Sequence, residues 1–145
     1  MTQVAAVLYA RSASLGGLLI RHHDNVAPGR WSHGAVLLWG QVVEAHALHG
    51  VRSIPLSEFE ATYSRIERVE YEVPDAAAGE AWLVSQIGKG YDYLAVFGRL
   101  FRRSWQDTSR WHCQELVEAY LAQCGRQRFR DSPAHITPNL GYMVL

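Results

Sequence analysis

Cys113, His33 and Glu44 are the side chains of this 145-residue sequence whose chemistries could combine. Cys113 opens the run CQELVEAYLAQC, in which Cys113, Leu116, Val117, Tyr120, Leu121 and Cys124 recur at helical spacing. The pattern predicts an amphipathic helix with the thiol in its first turn. Unpaired N–H groups and the helix dipole favour a thiolate there, and the same N–H groups could receive an oxyanion. A second reading stays open, because a cysteine on an apolar stripe also serves as a small core residue. Cys124 lies three turns later, at the wrong end of the dipole, and is read as inert core.

A thiolate nucleophile needs a base. His33 begins SHGAVLLW, a run apolar on both faces that predicts a central strand over Ser32–Trp39. Gly40 turns the chain, and QVVEAHAL over Gln41–Leu48 supplies the partner strand of a tight hairpin. A two-residue turn makes the numbers of paired residues sum to an odd value. His33, Ala35 and Leu37 then share a sheet face with Glu44 and His46. That face would carry one imidazole and two candidates to orient it, and a carboxylate fixes the tautomer and stabilises an imidazolium. The competing readings are a satisfied structural histidine at His33 and a point where the strand meets water at Glu44, since an unpaired buried carboxylate is costly. Metal binding is the rival use of these side chains. His46 and His49 are three apart, and His22-His23 and His112-Cys113 are adjacent pairs, none with an established zinc spacing. No metal and no cofactor is expected.

The remaining elements must position this set. VAAVLY over Val4–Tyr9 reads as a buried strand, Val51–Ile54 as a short one stopped by Pro55, and IERVEYEV over Ile66–Val73 as a half-exposed one. Between the first two, Arg11–His23 predicts a short helix or wide turn and Asn25–Arg30 a loop. Asp75 is the expected N-cap of a helix ending at Gly88. GYDY from Gly90 opens a loop or second short helix through Phe101, and Ser104–Arg110 is read as irregular. Gly125 ends the cysteine helix, and the tail predicts a packed loop with one last strand. Strands lead and helices follow, so the fold class is α+β with an antiparallel sheet, in one domain over residues 1–145.

Composition narrows the function classes. Hydrophobic residues make up 48% and charged residues 19%, which excludes a disordered or acidic activation segment. Two cysteines cannot build a disulfide scaffold or a four-thiolate zinc site. No run is apolar enough for a transmembrane helix, and the N-terminus lacks the basic and apolar regions of a signal peptide, so the cytoplasm is the default compartment. Fourteen basic and fourteen acidic residues balance, and no basic motif interleaved with aromatics suggests nucleic acid. The charges are nevertheless unevenly spread, with seven arginines in residues 99–130 against Asp107, Glu115 and Glu118. That asymmetry reads either as a solvated face or as a cationic rim for an anionic substrate or surface.

Four stretches together carry a resemblance: SHGAVLL from Ser32, VVEA from Val42, GYDY from Gly90 and WHCQELVEAY from Trp111. In kind and order they resemble the NlpC-type papain-like cysteine peptidases, in the circularly permuted branch with YiiX-like and lecithin:retinol acyltransferase-like proteins. The likeness covers about residues 4–124, and the histidine precedes the cysteine by 80 residues, the permuted order. It implies a permuted papain-like fold and a hydrolase acting through a thioester acyl-enzyme. Cys113 matches the nucleophile, His33 the general base and Glu44 the polar residue that orients it. Tyr91 matches the tyrosine whose hydroxyl lines the oxyanion site, although it also reads as an aromatic packing residue. Two departures stand out. The spacing from His33 to Glu44 is one residue shorter than usual, which keeps His46 open as the orienting group. His112 before the nucleophile is also unusual, either a bystander or a group that further acidifies the thiol. The implied substrate is an amide or ester: a peptidoglycan peptide, or an acyl lipid held by Leu94, Val96, Phe97 and Phe101 with Arg99, Arg102, Arg103 and Arg110 facing phosphate. Amide hydrolysis is the preferred expectation. Acyl transfer, lipid (thio)esterase activity and a non-catalytic binding module of the same fold are the alternatives.

Overall fold

A computed structural model describes residues 2–12, 31–91, 110–130 and 136–143. The chain runs through β1 (Gln3–Arg11), β2 (His33–Leu38), β3 (Gln41–His46), β4 (Gly50–Pro55), α1 (Leu56–Thr62), β5 (Arg65–Val73), α2 (Ala76–Gln86), β6 (Gly90–Tyr91), β7 (Arg110–Trp111), α3 (Cys113–Gln123) and α4 (Pro138–Met143). Five strands form one antiparallel sheet in the order β4-β3-β2-β1-β5, and β6 and β7 form a separate parallel pair. The α+β class with an antiparallel sheet is as expected.

The sheet is buried on both faces at its centre, which is why β1 and β2 are apolar without alternation. On one face Val7, Tyr9, Val36, Leu38, Val43 and Ala45 pack against Leu83 of α2 and Leu116, Val117, Tyr120 and Leu121 of α3. On the other, Leu8, Ala10, Ala35, Val42 and Ile54 pack against Phe59 of α1. The β2–β3 turn has two residues, Trp39 (φ 49°) and Gly40 (φ 80°), and gives the register Leu38↔Gln41, Leu37↔Val42 and Val36↔Val43. Those pairs have the odd sum expected from the sequence. Positive φ at both central positions matches the right-handed twist of the flanking strands. Gly34 lets α3 approach the sheet, because a Cβ there would stand 2.6 Å from Gln114 Oε1.

Asp75 caps α2 as expected, its Oδ1 accepting from Ala78 N–H at 3.0 Å. Several expectations are corrected. The third strand ends at His46, and residues 47–49 turn the chain back so that Glu44 pairs with Arg52. Pro55 ends β4 but also serves as the N-cap of the unforeseen helix α1, where its fixed φ of −58° and missing N–H cost nothing. Gly90–Tyr91 and Arg110–Trp111, expected in loop, helix or irregular chain, pair as short strands, each satisfying the other's backbone. In the tail, Pro138–Met143 form the helix α4, and none of its described residues lies in a strand. Within its described part, Asn139 accepts from Trp31 N–H at 2.7 Å and donates to Trp31 C=O at 3.0 Å, filling a strand's bonding role with a side chain. The expectations for Arg11–His23, Asn25–Arg30 and the chain through Phe101 fall mostly or wholly outside the described residues.

Candidate active site

The hairpin register puts His33 and Glu44 on one sheet face, on neighbouring strands and one pleat apart diagonally. Glu44 is fully buried and His33 is 8% exposed. Their side chains meet, Glu44 Oε2 standing 2.6 Å from His33 Nε2. Arg52, directly opposite Glu44 on β4, donates from Nε at 2.9 Å and lies at 2.8 Å through Nη2, both to Oε1. Tyr63, just after α1, donates its hydroxyl to Oε2 at 3.4 Å. Its ring stacks on His33, with centroids 5.2 Å apart and planes 11° from parallel, while Phe59 packs on both. A carboxylate with four donors around its two oxygens is no longer an orphaned buried charge.

Cys113 arrives from the other side. The stripe of α3 packs on the face opposite His33, with Gln114 and Val117 over Gly34. Because Cys113 is the first residue of α3 and His33 the first of β2, the two side chains come together at the end of the strand, near enough for each to shift the other's ionisation. Nε2 of His33 faces Glu44, which leaves Nδ1 for the sulfur. The residue before the thiol, His112, is the N-cap. Its Nδ1 accepts from Glu115 N–H at 3.3 Å, and Glu115 Oε2 accepts from His112 N–H at 3.4 Å, a capping box with histidine in place of serine or threonine.

The electrostatics follow from these contacts. Burial pushes the Cys113 thiol up, but hydrogen bonds from His112 and His33 and the charge on His33 outweigh it and hold the thiol well below its ordinary range. Burial pulls His33 down, while its hydrogen bonds to Cys113 and Glu44 raise it to about 10. Burial pushes Glu44 up, yet His33 and Arg52 hold it down at about 2. The shifts all run in the direction that favours an ionised sulfur and carboxylate with a protonated imidazole beside them.

His46 is not part of this contact. Its Nδ1 accepts from Leu48 N–H at 3.1 Å, and its ring stacks on His49 at 4.9 Å. Burial and the Arg52 charge both lower its pKa. Tyr91 lies half-buried against the main core, paired with Trp111 two residues before the thiol. Cys124 is buried, with its thiol pushed up by burial. Leu94, Val96, Phe97, Phe101, Arg99, Arg102 and Arg103 lie outside the described residues, and Arg110 is exposed on β7. Arg52 and Tyr63 were missed in the sequence. Arg52 was recoverable by extending the hairpin logic through the turn at 47–49, whereas Tyr63 depends on α1 and carries no motif. Among the described residues, no three His, Cys, Asp or Glu side chains converge as a metal-ligand set, and no helix is long and apolar enough to cross a membrane.

No family model matches the chain, and no curated protein matches it. The functional reading consequently rests on the site.

Proposed function

We propose that this chain is a cysteine-dependent hydrolase of amide bonds, built on the circularly permuted NlpC-type form of the papain-like fold. One observation supports the reading above all others: a buried His33 has the Glu44 carboxylate 2.6 Å from one ring nitrogen and lies close enough to Cys113 for the two to shift each other's ionisation. A packed core gains nothing from burying that many polar groups together, while nucleophilic catalysis requires this order of them.

In the proposed reaction the Cys113 thiolate attacks the substrate carbonyl carbon, and the carbonyl π electrons move to oxygen. The Cys113 N–H, at the first position of α3, has no intrahelical acceptor and is the proposed first donor to that oxyanion, with the Tyr91 hydroxyl as the second. The tetrahedral intermediate collapses as the C–N bond breaks, and the His33 imidazolium gives its proton to the departing amine. A thioester on Cys113 remains. Neutral His33 then takes a proton from water as the water oxygen attacks the thioester, and the thiolate leaves with release of the carboxylic acid. Glu44 keeps the imidazole ring oriented through both halves and stays ionised throughout. Substitution of an alcohol or amine for water in the second half would give acyl transfer.

The test has two stages. An ordinary thiol with a pKa of ~8.5 gains alkylation rate almost a hundredfold between pH ~6 and ~8. Cys113 in the intact protein is expected to react with iodoacetamide at a nearly constant rate over that range, and a normal thiol profile overturns the reading. Turnover is then measured on peptidoglycan fragments and on phospholipids, with Cys113→Ala as control. Release of amine from the peptides, lost in the variant, supports the amidase. Turnover of lipid alone reassigns the same site to acyl esters.

A further inference from the structure

We propose that the outer edge of β5 is a self-complementary pairing surface, through which two copies of this chain join their sheets antiparallel about a two-fold axis at Val69. Nothing in it depends on the chemistry of Cys113.

The open five-stranded sheet has two edges, β4 and β5. The β4 edge is partly closed: Val51 donates its N–H to Lys89 C=O at 2.7 Å, and its C=O accepts from Gly88 N–H at 2.8 Å. β5 is nine residues long, and backbone groups along a strand point alternately to its two sides. Both ends of β5 fix the alternation. Arg11 C=O turns toward the β5 side to accept from Ser64 N–H at 3.1 Å, so Arg65, paired with Arg11, and the other odd-numbered residues face β1. Glu72 C=O accepts from the Arg126 guanidinium at 3.0 Å, outside the ladder, which agrees with even-numbered residues facing outward. Among the described residues, no strand pairs with that outward side of β5.

Charges on a long edge ordinarily prevent such pairing. Those of β5 block most registers and permit one. Two copies related by a two-fold axis present the same patch to each other, and an antiparallel pair then places one residue on the axis opposite itself. An axis on Glu67, Arg68, Glu70 or Glu72 sets like charges face to face, and an axis on Tyr71 sets Glu70 against Glu72. An axis on Ile66 leaves only residues 65–67 in register. Val69, the middle residue, brings all nine residues into register and opposes no like charges. Arg68 then meets Glu70 on both sides of the axis, Glu67 meets Tyr71, Ile66 meets Glu72 and Arg65 meets Val73. Arg68 and Glu70 are outward-facing, so each such pair exchanges both of its backbone hydrogen bonds. Their side chains already meet within the strand at 2.6 Å and are 55% and 53% exposed. In the dimer each guanidinium gains the second copy's Glu70 beside its own, an alternating ring of four charges over the axis. Edge-to-edge pairing buries little area, which makes this a weak, concentration-dependent contact.

Sedimentation velocity of the intact protein at rising concentration reads the monomer–dimer equilibrium in the wild type, in Arg68→Glu and in the exchange variant Arg68→Glu with Glu70→Arg. Both side chains are exposed, so these variants keep the fold. Arg68→Glu opposes like charges in both symmetry-related pairs and should raise Kd by about tenfold or more. The exchange variant restores both pairs and should return Kd to within about threefold of the wild type. Cross-linking then reads the register in a Cys113→Ala background, where the remaining Cys124 is buried. Val69→Cys faces its counterpart across the axis and should oxidise to a covalent dimer, since directly opposed residues lie within disulfide reach. Arg65→Cys, opposite Val73, should not. A monomer at every concentration overturns the proposal and leaves any pairing at this edge to a strand of another protein. A dimer that ignores Arg68→Glu, fails to recover in the exchange variant, or cross-links equally through both cysteine positions overturns it as well.

Discussion

Glu44 and His33 meet 2.6 Å apart from adjacent strands, with the carboxylate fully enclosed and its second oxygen taken by Arg52. The sheet face that holds them is not the face on which α3 packs, so the sulfur reaches the imidazole only because each begins its own element. This places a buried, hydrogen-bonded pair behind the proposed nucleophile, which a different layer carries.

Replacement Glu44→Gln keeps the volume and removes the charge. His33 then loses the anion that helps raise it to about 10, and Arg52 is left with an amide. The expected result is a fall in kcat/KM on the order of 10²–10⁴-fold, with the alkaline limb of the pH–rate profile moving to lower pH. Stability carries the same signature. His33 is raised from 6.5, so its contribution is complete below pH 6.5 and is lost as the pH climbs through about 10. Glu44 is lowered from 4.5, so its contribution is complete above pH 4.5 and is lost as the pH falls through about 2. Denaturant titrations at several pH values should show both limbs in the wild type and neither the same in Glu44→Gln. Superimposable profiles would remove the pair from the mechanism.

The choice between Glu44 and His46 is settled by a separate variant. His46 spends Nδ1 on the Leu48 backbone and stacks on His49. His46→Ala should change kcat/KM by less than about threefold and leave the Cys113 alkylation profile in place, the ordinary range for a substitution that touches no buried network. A loss comparable to that of Glu44→Gln would make His46 the orienting group.

The central hairpin was legible because its physics is local. An apolar run, a two-residue turn and an odd register sum are enough to put His33, Glu44 and His46 on one face. The cap at Asp75 and the stripe from Cys113 to Cys124 follow from equally short-range rules. What stayed hidden was set by distant partners. Choosing Glu44 over His46 needs Arg52, brought opposite by a turn whose residues, Ala47, Leu48 and His49, carry no strong turn signal. Tyr63 is placed by α1, and Pro55, read as a stop, is also a start. The strands β6 and β7 are two residues each and exist only because they pair across nearly twenty residues of chain. Asn139 reaches Trp31 over 108 positions, a contact no window along the chain contains.

Tyr63 offers a graded test of the cover over the imidazole. Tyr63→Phe removes the 3.4 Å hydrogen bond to Glu44 but keeps the stack on His33. A hydrogen bond this long to an ionised carboxylate sits at the low end for a charged acceptor, about 1.5 kcal/mol, so kcat/KM should fall by about tenfold. Tyr63→Ala removes the stacking partner as well and exposes a buried charge pair, and a further drop of about tenfold is expected. Equal effects from the two variants would mean that the ring contributes nothing beyond its hydroxyl.

The hairpin tip carries a cost that a single substitution should relieve. Trp39 is 79% exposed and sits at φ 49°, a left-handed conformation that a bulky side chain adopts at a penalty. Asn favours the same turn position, and Trp39→Asn should stabilise the fold by about 1 kcal/mol, raising the thermal midpoint by about 2–4 °C. A lowered midpoint would show that the indole makes contacts that outweigh the strain.

Arg128 should be the most sensitive position outside the site. Its guanidinium lies between Glu118 of α3, the Tyr71 hydroxyl on β5 at 2.9 Å and the Gly141 carbonyl of α4 at 2.9 Å, and it covers the Tyr71 ring at 4.6 Å. Glu118 in turn accepts from Gln114, the residue after the thiol, at 2.7 Å. With the side chains of Arg128 and Glu118 only 3% and 4% exposed, Arg128→Ala strands a buried carboxylate, a loss of about 3–5 kcal/mol. The thermal midpoint should drop by about 10 °C or more. The double variant Arg128→Met with Glu118→Leu removes both charges and should recover most of that loss, since the penalty belongs to the unpaired ion and not to the missing bridge. If the double variant is no more stable than Arg128→Ala, the cluster acts through its geometry, tying α4 and β5 to the helix that bears Cys113. In that case the alkylation profile of Cys113 should change along with the midpoint.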